Sequence, residues 1–536
     1  MQDDHQDSRG WFGSAMPSTI GEVLARAASL FTDRYAVVEG NSALTYSELF
    51  DSARRTAKGL ISLGINSGDR VAIWAPNSTE WIAVSYAAYL IGAILVPLNT
   101  RYTLVEATQI LNTSSTRLLL TSTDFLGVNY AEAIRGAVDV ATLEQVISIS
   151  GPPVIGTLSW QDLIDMGTCI TDFDLEARSQ NVDGNDVSDI IFTSGTTGAP
   201  KGAMLRHEAS IRTYLAWSNK VGLRDGDRYF SVYPYFHTAG LKSVLLACAL
   251  FGATVYPLPT FDVEEVFKIV EHQRITMLPG PPTMFQMILD SPLRHQYDLS
   301  SVRTSVTGAA TIPVELIRRM REELRIPSVV TAYGLTESTG TVSVCDADDP
   351  PEVIAHTVGK PIPGVVVRIV DEEGNECSMG VAGEVTVRGF NVITGYFNND
   401  EATRASIKDG WLYTGDVGLL DADGNLRITD RKKDMFIVGG FNAYPAEIEG
   451  VLTAHPDVSQ VAVVGLPHAR LGETGTAFVI PKPTCESEPS DILAWAHQRL
   501  AKFKLSRVIF VDSLPTGPSG KIQKFKLREL YGQSHN

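Results

Sequence analysis

At 536 residues the chain is too long for one hydrophobic core, so at least two domains are expected. Its hydrophobic content of 44% is that of a globular protein, while 45 Lys and Arg against 62 Asp and Glu leave a net charge of −17. So acidic a chain is not built to coat nucleic acid, and any anionic ligand must be met by a local cluster of positive groups. The five cysteines, Cys169, Cys248, Cys345, Cys377 and Cys485, form no CxxC pair, which argues against structural zinc and a disulfide framework and for free thiols in a reducing cytoplasm.

Met1-Gln2-Asp3-Asp4-His5 is polar and acidic, without the basic and apolar segments of a secretory signal, and residues 1–16 read as a mobile leader. Apolar runs at 37–40 and 44–46 predict a hairpin around Asn41-Ser42. A helix over 47–63, a strand over 71–75, a helix over 80–91, a strand over 93–96, a helix over 105–111 and a strand over 118–121 follow. The most apolar run, 82–98, contains Ser85, Gly92 and Pro97, and reads as a core helix breaking at Gly92. A membrane span needs about 20 predominantly apolar residues. Residues 124–180 are weakly patterned. Beyond the strand 189–192 the alternation resumes: helices over 210–221, 241–251, 263–272, 283–289 and 313–324, with extended runs at 229–232, 254–256, 275–278, 302–306 and 329–331. Strands alternating with helices predict an α/β fold with parallel sheets covered on both faces. From about 360, glycines punctuate short β runs (365–370, 384–387) and predict a β-rich subdomain. The domain boundary is placed at 430. Residues 431–536 then form a small α+β domain with elements at 446–452, 458–465, 477–480, 491–501 and 508–511.

The chemistry is concentrated in a few runs. Thr193-Ser194-Gly195-Thr196-Thr197-Gly198-Ala199-Pro200-Lys201-Gly202 follows a buried strand. Glycines let a backbone turn its N–H groups towards phosphate oxygens, hydroxyls add donors, and lysine adds a mobile charge, so the run reads as a polyphosphate loop. It is not the common P-loop, because Pro200 and Gly202 flank Lys201 and no helix can open there in the same way. Tyr333-Gly334-Leu335-Thr336-Glu337 also follows a strand, where ligands of doubly wound sheets bind. Its carboxylate can hold Mg²⁺ beside phosphates, and its tyrosine can stack on a base. Asp416 sits in a turn, Gly439-Gly440 follows a strand, and Lys521 is presented by a Pro/Gly-rich loop.

Together these runs, in order and spacing from 193 to 524, resemble the signatures of the adenylate-forming (AMP-binding) superfamily: acyl-CoA synthetases, aryl-CoA ligases, luciferases and peptide-synthetase adenylation domains. The resemblance implies a large N-terminal adenylate-forming domain, 1–430, and a small mobile C-terminal domain, 431–536, carrying the hinge and the catalytic lysine. It implies ATP, Mg²⁺ and CoA as co-reactants. Thr193 to Gly198 and Lys201 would cradle the phosphates, with Thr196 and Glu337 as magnesium contacts and Thr336 near the α-phosphate. Gly308, Ala309, Ala310, Ala332 and Tyr333 would hold the adenine, and Asp416 and Arg431 the ribose. Tyr235, Phe236, His237, Gly240, Leu241, Thr307 and Gly334 would line the acyl pocket, with His237 as a gate or a carboxylate-side contact. Lys433 would be the hinge, and Gly439, Gly440 and Phe441 would meet the pantetheine arm of CoA; Phe441 stands where many members carry Glu. Lys521 would stabilise charge during adenylation.

His237 stands where amino-acid-activating members place Asp, which argues against an α-amino acid substrate. The runs 236–241, 278–283 and 439–445 look like those of actinobacterial fatty-acyl and steroid-ring-propanoate CoA ligases. The expected activity is therefore formation of acyl-CoA from a fatty or alicyclic acid through acyl-AMP. An aryl-CoA ligase, or an adenylating enzyme that loads a carrier protein, is the alternative. A cytoplasmic enzyme and a homodimer are expected, with no nucleic-acid partner.

Overall fold

The computed structural model describes residues 16–532 apart from 137–139, 153, 195–199, 309–311, 313, 372, 432–435, 444, 484, 516–521 and 523. Its first sheet has seven strands in the order Leu158–Ser159, Gln145–Ser150, Leu118–Ser122, Arg70–Trp74, Ile94–Pro97, Val187–Ser194, Pro200–Arg206. All neighbours run parallel except the last two, which are antiparallel. The second sheet pairs Tyr35–Glu39 and Arg228–Ser231 in parallel with Thr254–Pro257, and the expected hairpin closes its edge through Ser42–Thr45. Met277 bridges Tyr229 to Thr304 and so joins this sheet to the parallel pair Thr304–Val306 and Ser328–Val330.

The helix Thr79–Leu90 is buried on all sides from Trp81 onward, which explains why it is apolar all round. It ends before Gly92, whose φ of +71° turns the chain into Ile94–Pro97. No helix among the described residues is long and apolar enough to cross a membrane. The weakly patterned 124–180 segment contains the strand Gln145–Ser150 and the short helices Tyr130–Gly136, Trp160–Met166 and Asp172–Gln180. The last two start at capping boxes, Ser159 with Asp162 and Thr171 with Asp174, and bury only Leu163 and Leu175. Such short, mostly exposed helices leave little periodicity to read.

The expected helix over 241–251 is interrupted: Leu241–Leu246 is a π-helical turn, and α geometry holds only at Thr238–Gly240 and Ala247–Phe251. Lys242 lies in that turn, wholly buried, with its Nζ 2.5 Å from Asp189 Oδ2. The glycine-rich region after 360 is an antiparallel sheet of Val365–Val370, Gly383–Gly389, Trp411–Leu420 and Leu426–Arg431, with Ile407–Lys408 on its edge.

A separate five-stranded sheet follows, in which Phe441–Ala443, Phe436–Val438, Gly472–Pro481 and Val458–His468 are antiparallel neighbours and Arg507–Phe510 adds in parallel. It packs on its own core, which includes Phe436, Ile448, Leu452, Val479, Ile492 and Leu505. The expected helix over 491–501 stops at His497, whose Nε2 bonds the Leu505 carbonyl at 2.8 Å. The chain then folds back so that Lys504, in the short turn Lys502–Lys504, reaches the helix Leu104–Thr113 of the N-terminal unit. Its Nζ lies 2.6 Å from Glu106 Oε1 and 2.7 Å from Glu447 Oε1.

Candidate active site

The run 195–198 lies outside the described residues, but the strands that carry it are set. Val187–Ser194 and Pro200–Arg206 pair with Thr193 opposite Lys201 and Ser194 opposite Pro200. The lysine therefore belongs to a strand, and no helix opens at it, as Pro200 and Gly202 implied. Gly202 is required by packing, because a Cβ there would sit 2.5 Å from Ile190 Cγ2.

Glu337 is brought to the same place by the 3₁₀ turn Thr336–Ser338, which Ser338 Oγ caps by accepting from Leu335 N at 2.9 Å. Thr193 Oγ1 lies 3.3 Å from Glu337 Oε1, and the Tyr396 hydroxyl donates to the same oxygen at 2.8 Å. Lys201 Nζ rests 5.6 Å from the centre of the Tyr396 ring. Thr193 at the head of the phosphate run, the carboxylate and the lysine thus share one corner. Tyr396 ties them together and was not among the residues singled out from the sequence. Its only signal is an amphipathic aromatic in a glycine-rich run, which is weak.

Gly334 serves packing: a Cβ there would meet the Gly340 carbonyl oxygen at 2.2 Å. Ala332 and Tyr333 form a short strand, and the Tyr333 hydroxyl donates to Asp416 Oδ2 at 2.6 Å. Asp416 is also the cross-strand partner of Arg431. The candidate adenine and ribose residues therefore adjoin. Gly308 lies beside Ala332, since its Cβ would come within 3.5 Å of the Ala332 carbonyl oxygen.

The candidate acyl residues other than Thr307 and Gly334 lie on the loop Tyr233 to His237 and the helical turns after it. Asn77, also missed in the sequence, clamps that loop by accepting from Tyr235 N and donating to the Tyr233 carbonyl, both at 2.9 Å. The Tyr235 ring is fully buried 5.3 Å from Trp81, so it forms the floor under this loop. Phe236 and Leu241 are buried, as is Thr307. Gly240 allows a close crossing, for a Cβ there would meet the Pro234 carbonyl oxygen at 2.1 Å. Burial pushes the His237 imidazole down to about 4, so the ring is neutral near pH 7. A neutral ring favours a gate over a cationic partner for a carboxylate.

The C-terminal unit completes this face. Val438 and Phe441 are cross-strand partners joined by Gly439 and Gly440, with φ of +55° and +86°. Two left-handed residues make the tight hairpin turn for which glycine is favoured. Just past it, the Phe441 ring stacks on Phe236 at 6.4 Å between centroids and lies 6.2 Å from His237. The Arg101 guanidinium covers Phe441 at 4.6 Å, and Phe503 packs against it at 5.2 Å.

Thr196, Thr197, Gly195 and Gly198, together with Ala309, Ala310, Lys433 and Lys521, lie outside the described residues. For Ser194 and Arg431 the backbone alone is described. Residues 1–15 of the leader also lie outside them.

The family model for the AMP-binding enzyme matches residues 24–397, and that for the AMP-binding enzyme C-terminal domain matches residues 447–521. The chain belongs to the AMP-binding enzyme family. Within it, the chain falls on the AMP-forming acyl-CoA synthetase branch. It is 43% identical over 519 residues to the 7a-methyl-1,5-dioxo-octahydro-1H-inden-4-yl propanoyl:CoA ligase of Rhodococcus jostii, covering 96% of this chain and 99% of that one. The ligase of the same name from Mycobacterium tuberculosis is 43% identical over 514 residues, at 96% and 99% coverage. Among solved structures, a double mutant of o-succinylbenzoate CoA synthetase from Bacillus subtilis, bound with its product analogue OSB-NCoA, superposes with a TM-score of 0.80 at 27% identity, covering 95% of this chain and 98% of that one.

Proposed function

We propose that this enzyme makes acyl-CoA from a bulky alicyclic propanoic acid, with fatty acids as the neighbouring class. In the first step a carboxylate oxygen attacks the α-phosphorus of ATP, the bond to the bridging oxygen breaks, and pyrophosphate leaves from acyl-AMP. Lys201, the amides of the 193–198 run and Lys521 meet the phosphate charge, while Asp416 and Arg431 hold the ribose and Tyr333 flanks the adenine. Catalysis of this kind is positioning and electrostatics. Magnesium fits the corner, because such ions bind through one or two carboxylates plus substrate phosphates; Glu337 and Thr196 would hold it, and it would neutralise charge on the leaving pyrophosphate.

In the second step the CoA thiol loses its proton, sulfur attacks the acyl carbon, and AMP leaves. The observation that carries this reading is Phe441 against His237, with the Gly439-Gly440 turn beside it. That is the orientation in which the C-terminal unit meets the acyl face, and it suits thioester formation. The boundary between the units is taken at 430/431, with Lys433 as the hinge and Lys521 turned in for the first step. The reading includes a cytoplasmic homodimer.

The alicyclic assignment is supported by the 43% identity to the two ligases named for a bicyclic propanoyl group. The test is AMP release with ATP and Mg²⁺ across bicyclic propanoic, fatty and aryl acids, each with and without CoA. The expected result is acyl-CoA and AMP from the bicyclic acid only when CoA is present. Preference for aryl acids would move the enzyme to the aryl-CoA ligases. Acyl-AMP without thioester would make a carrier protein the acceptor.

A further inference from the structure

Lys504 contributes to neither set of reacting groups, yet it is 3% exposed and lies between two carboxylates that are 6% and 7% exposed. Glu447 belongs to its own unit, at the start of the helix Pro445–Thr453. Glu106 belongs to the other unit, on the helix Leu104–Thr113, where its second oxygen caps Thr103. Beside them Thr103 Oγ1 donates to the Arg499 carbonyl at 3.1 Å, and the Tyr102 ring lies 5.1 Å from Lys504 Nζ. The same stretch of chain supplies Arg101, which covers Phe441. The ion bridge and the aromatic contact at His237 are therefore both made in this one orientation of the C-terminal unit.

We propose that Lys504 is a positioning residue for thioester formation: its bridge to Glu106 is a reversible latch that holds the C-terminal unit with Phe441 on His237. The latch rests on the two-step reading above. A buried ion bridge suits a joint that must open. Its attraction nearly cancels the cost of removing the charges from water, so the open state, with both charges rehydrated, stays within reach. An apolar contact of the same area would also tolerate shifted registers, whereas three charges fix one. Burial works to lower the Lys504 ammonium, but Glu447 and Glu106 outweigh it and hold it charged, above the usual lysine range.

Glu106 is the side to change, because Lys504 and Glu447 would remain paired within their own unit. With the acid chosen by the panel above, Glu106→Lys should leave ATP–pyrophosphate exchange within about twofold. It should slow thioester formation from supplied acyl-AMP by tenfold or more. Glu106→Lys combined with Lys504→Glu, which restores one ammonium between two carboxylates, should recover most of that rate. Equal loss in both half-reactions, or no rescue, overturns the latch. A substrate-free readout separates this from a wrong reaction. In a Thr103→Cys/Arg499→Cys background, the yield of a short bis-maleimide crosslink should fall at least threefold with Glu106→Lys and return with the swap. A normal crosslink response with no acid activated would overturn the synthetase reading alone, and an unchanged crosslink overturns the latch.

Discussion

Lys242 and Lys504 are both withdrawn from water, and each has a carboxylate oxygen within 2.7 Å, but they differ in what surrounds them. Lys242 meets one carboxylate, Asp189, to which Tyr89 and Ser188 also donate at 2.5 and 2.6 Å. All four groups lie within one unit, between the strand that leads into the phosphate run and the π turn that follows His237. Lys504 meets two carboxylates from two units. The first arrangement is balanced in charge and never needs to open, so it can hold the phosphate strand and the acyl helix in fixed relation. The second has one ammonium for two carboxylates, and burial together with Glu106 raises Glu447 above the usual carboxylate range despite Lys504. A joint that must form and break is built from charges that water can take back.

The largest expected effect follows from breaking the fixed pair. Lys242→Ala would leave Asp189 buried without its cation and should cost about 3–5 kcal/mol of stability, measured by urea unfolding. Both half-reactions should fall with it. Lys242→Met with Asp189→Asn should regain most of that stability, because both charges go together. If the single and double variants are equally unstable, charge balance is not what the pair supplies. Glu337→Gln should act next most strongly, and on one side only. Loss of its charge from the corner shared with Thr193 and Lys201 should lower ATP–pyrophosphate exchange by about 10²-fold. Thioester formation from supplied acyl-AMP should change little, since pyrophosphate has left by then.

The parallel sheets were legible because their strands are apolar runs bounded by helices of clear period, and the helix Val263–His272 matches its expected limits. The candidate site residues were named from motifs, and among the described ones Thr193, Lys201 and Glu337 share one corner while Tyr333 and Asp416 adjoin each other. What could not be read is what holds them. Tyr396 acts through a hydrogen bond to Glu337 and Asn77 through two to the 233–235 loop, all far along the chain, and such contacts leave no periodic trace. The π turn at Lys242 looks like an ordinary apolar helix until Asp189 is placed beside it. Lys504 stands in a basic stretch that gives no sign of its burial, because Glu106 is almost 400 positions away.

A pH series sharpens the fixed side of the comparison. His207 is wholly buried next to Tyr89, and its Nδ1 accepts from Ile20 N at 3.2 Å. Burial first, and Lys242 beyond it, push the ring down to about 3 against the pull of Asp189. The unfolded chain therefore binds this proton near pH 6.5, while the folded chain resists it. Stability is full above about 6.5 and is lost as pH falls towards 3. The expected loss is about 2 kcal/mol between pH 6.5 and 5, and His207→Gln should flatten that slope in urea titrations. An unchanged slope would show that other groups carry the acid response.

The smallest effect tests the moving side. Gly440 has a φ of +86°, and a Cβ there would meet nothing within 4 Å. Gly440→Ala therefore introduces backbone strain and no clash, about 1 kcal/mol. Gly440→Asn should introduce less, because its side chain tolerates the left-handed region. Part of that strain should be relieved by opening the turn that carries Phe441. Thioester formation should then slow by at most about fivefold with Ala and less with Asn, while ATP–pyrophosphate exchange stays level. The ranking separates two roles for the glycine. If Asn is the worse of the two, the turn is wanted bare for the approach of CoA. If Ala is worse, it is wanted for its φ, and the hairpin matters by pressing Phe441 onto His237.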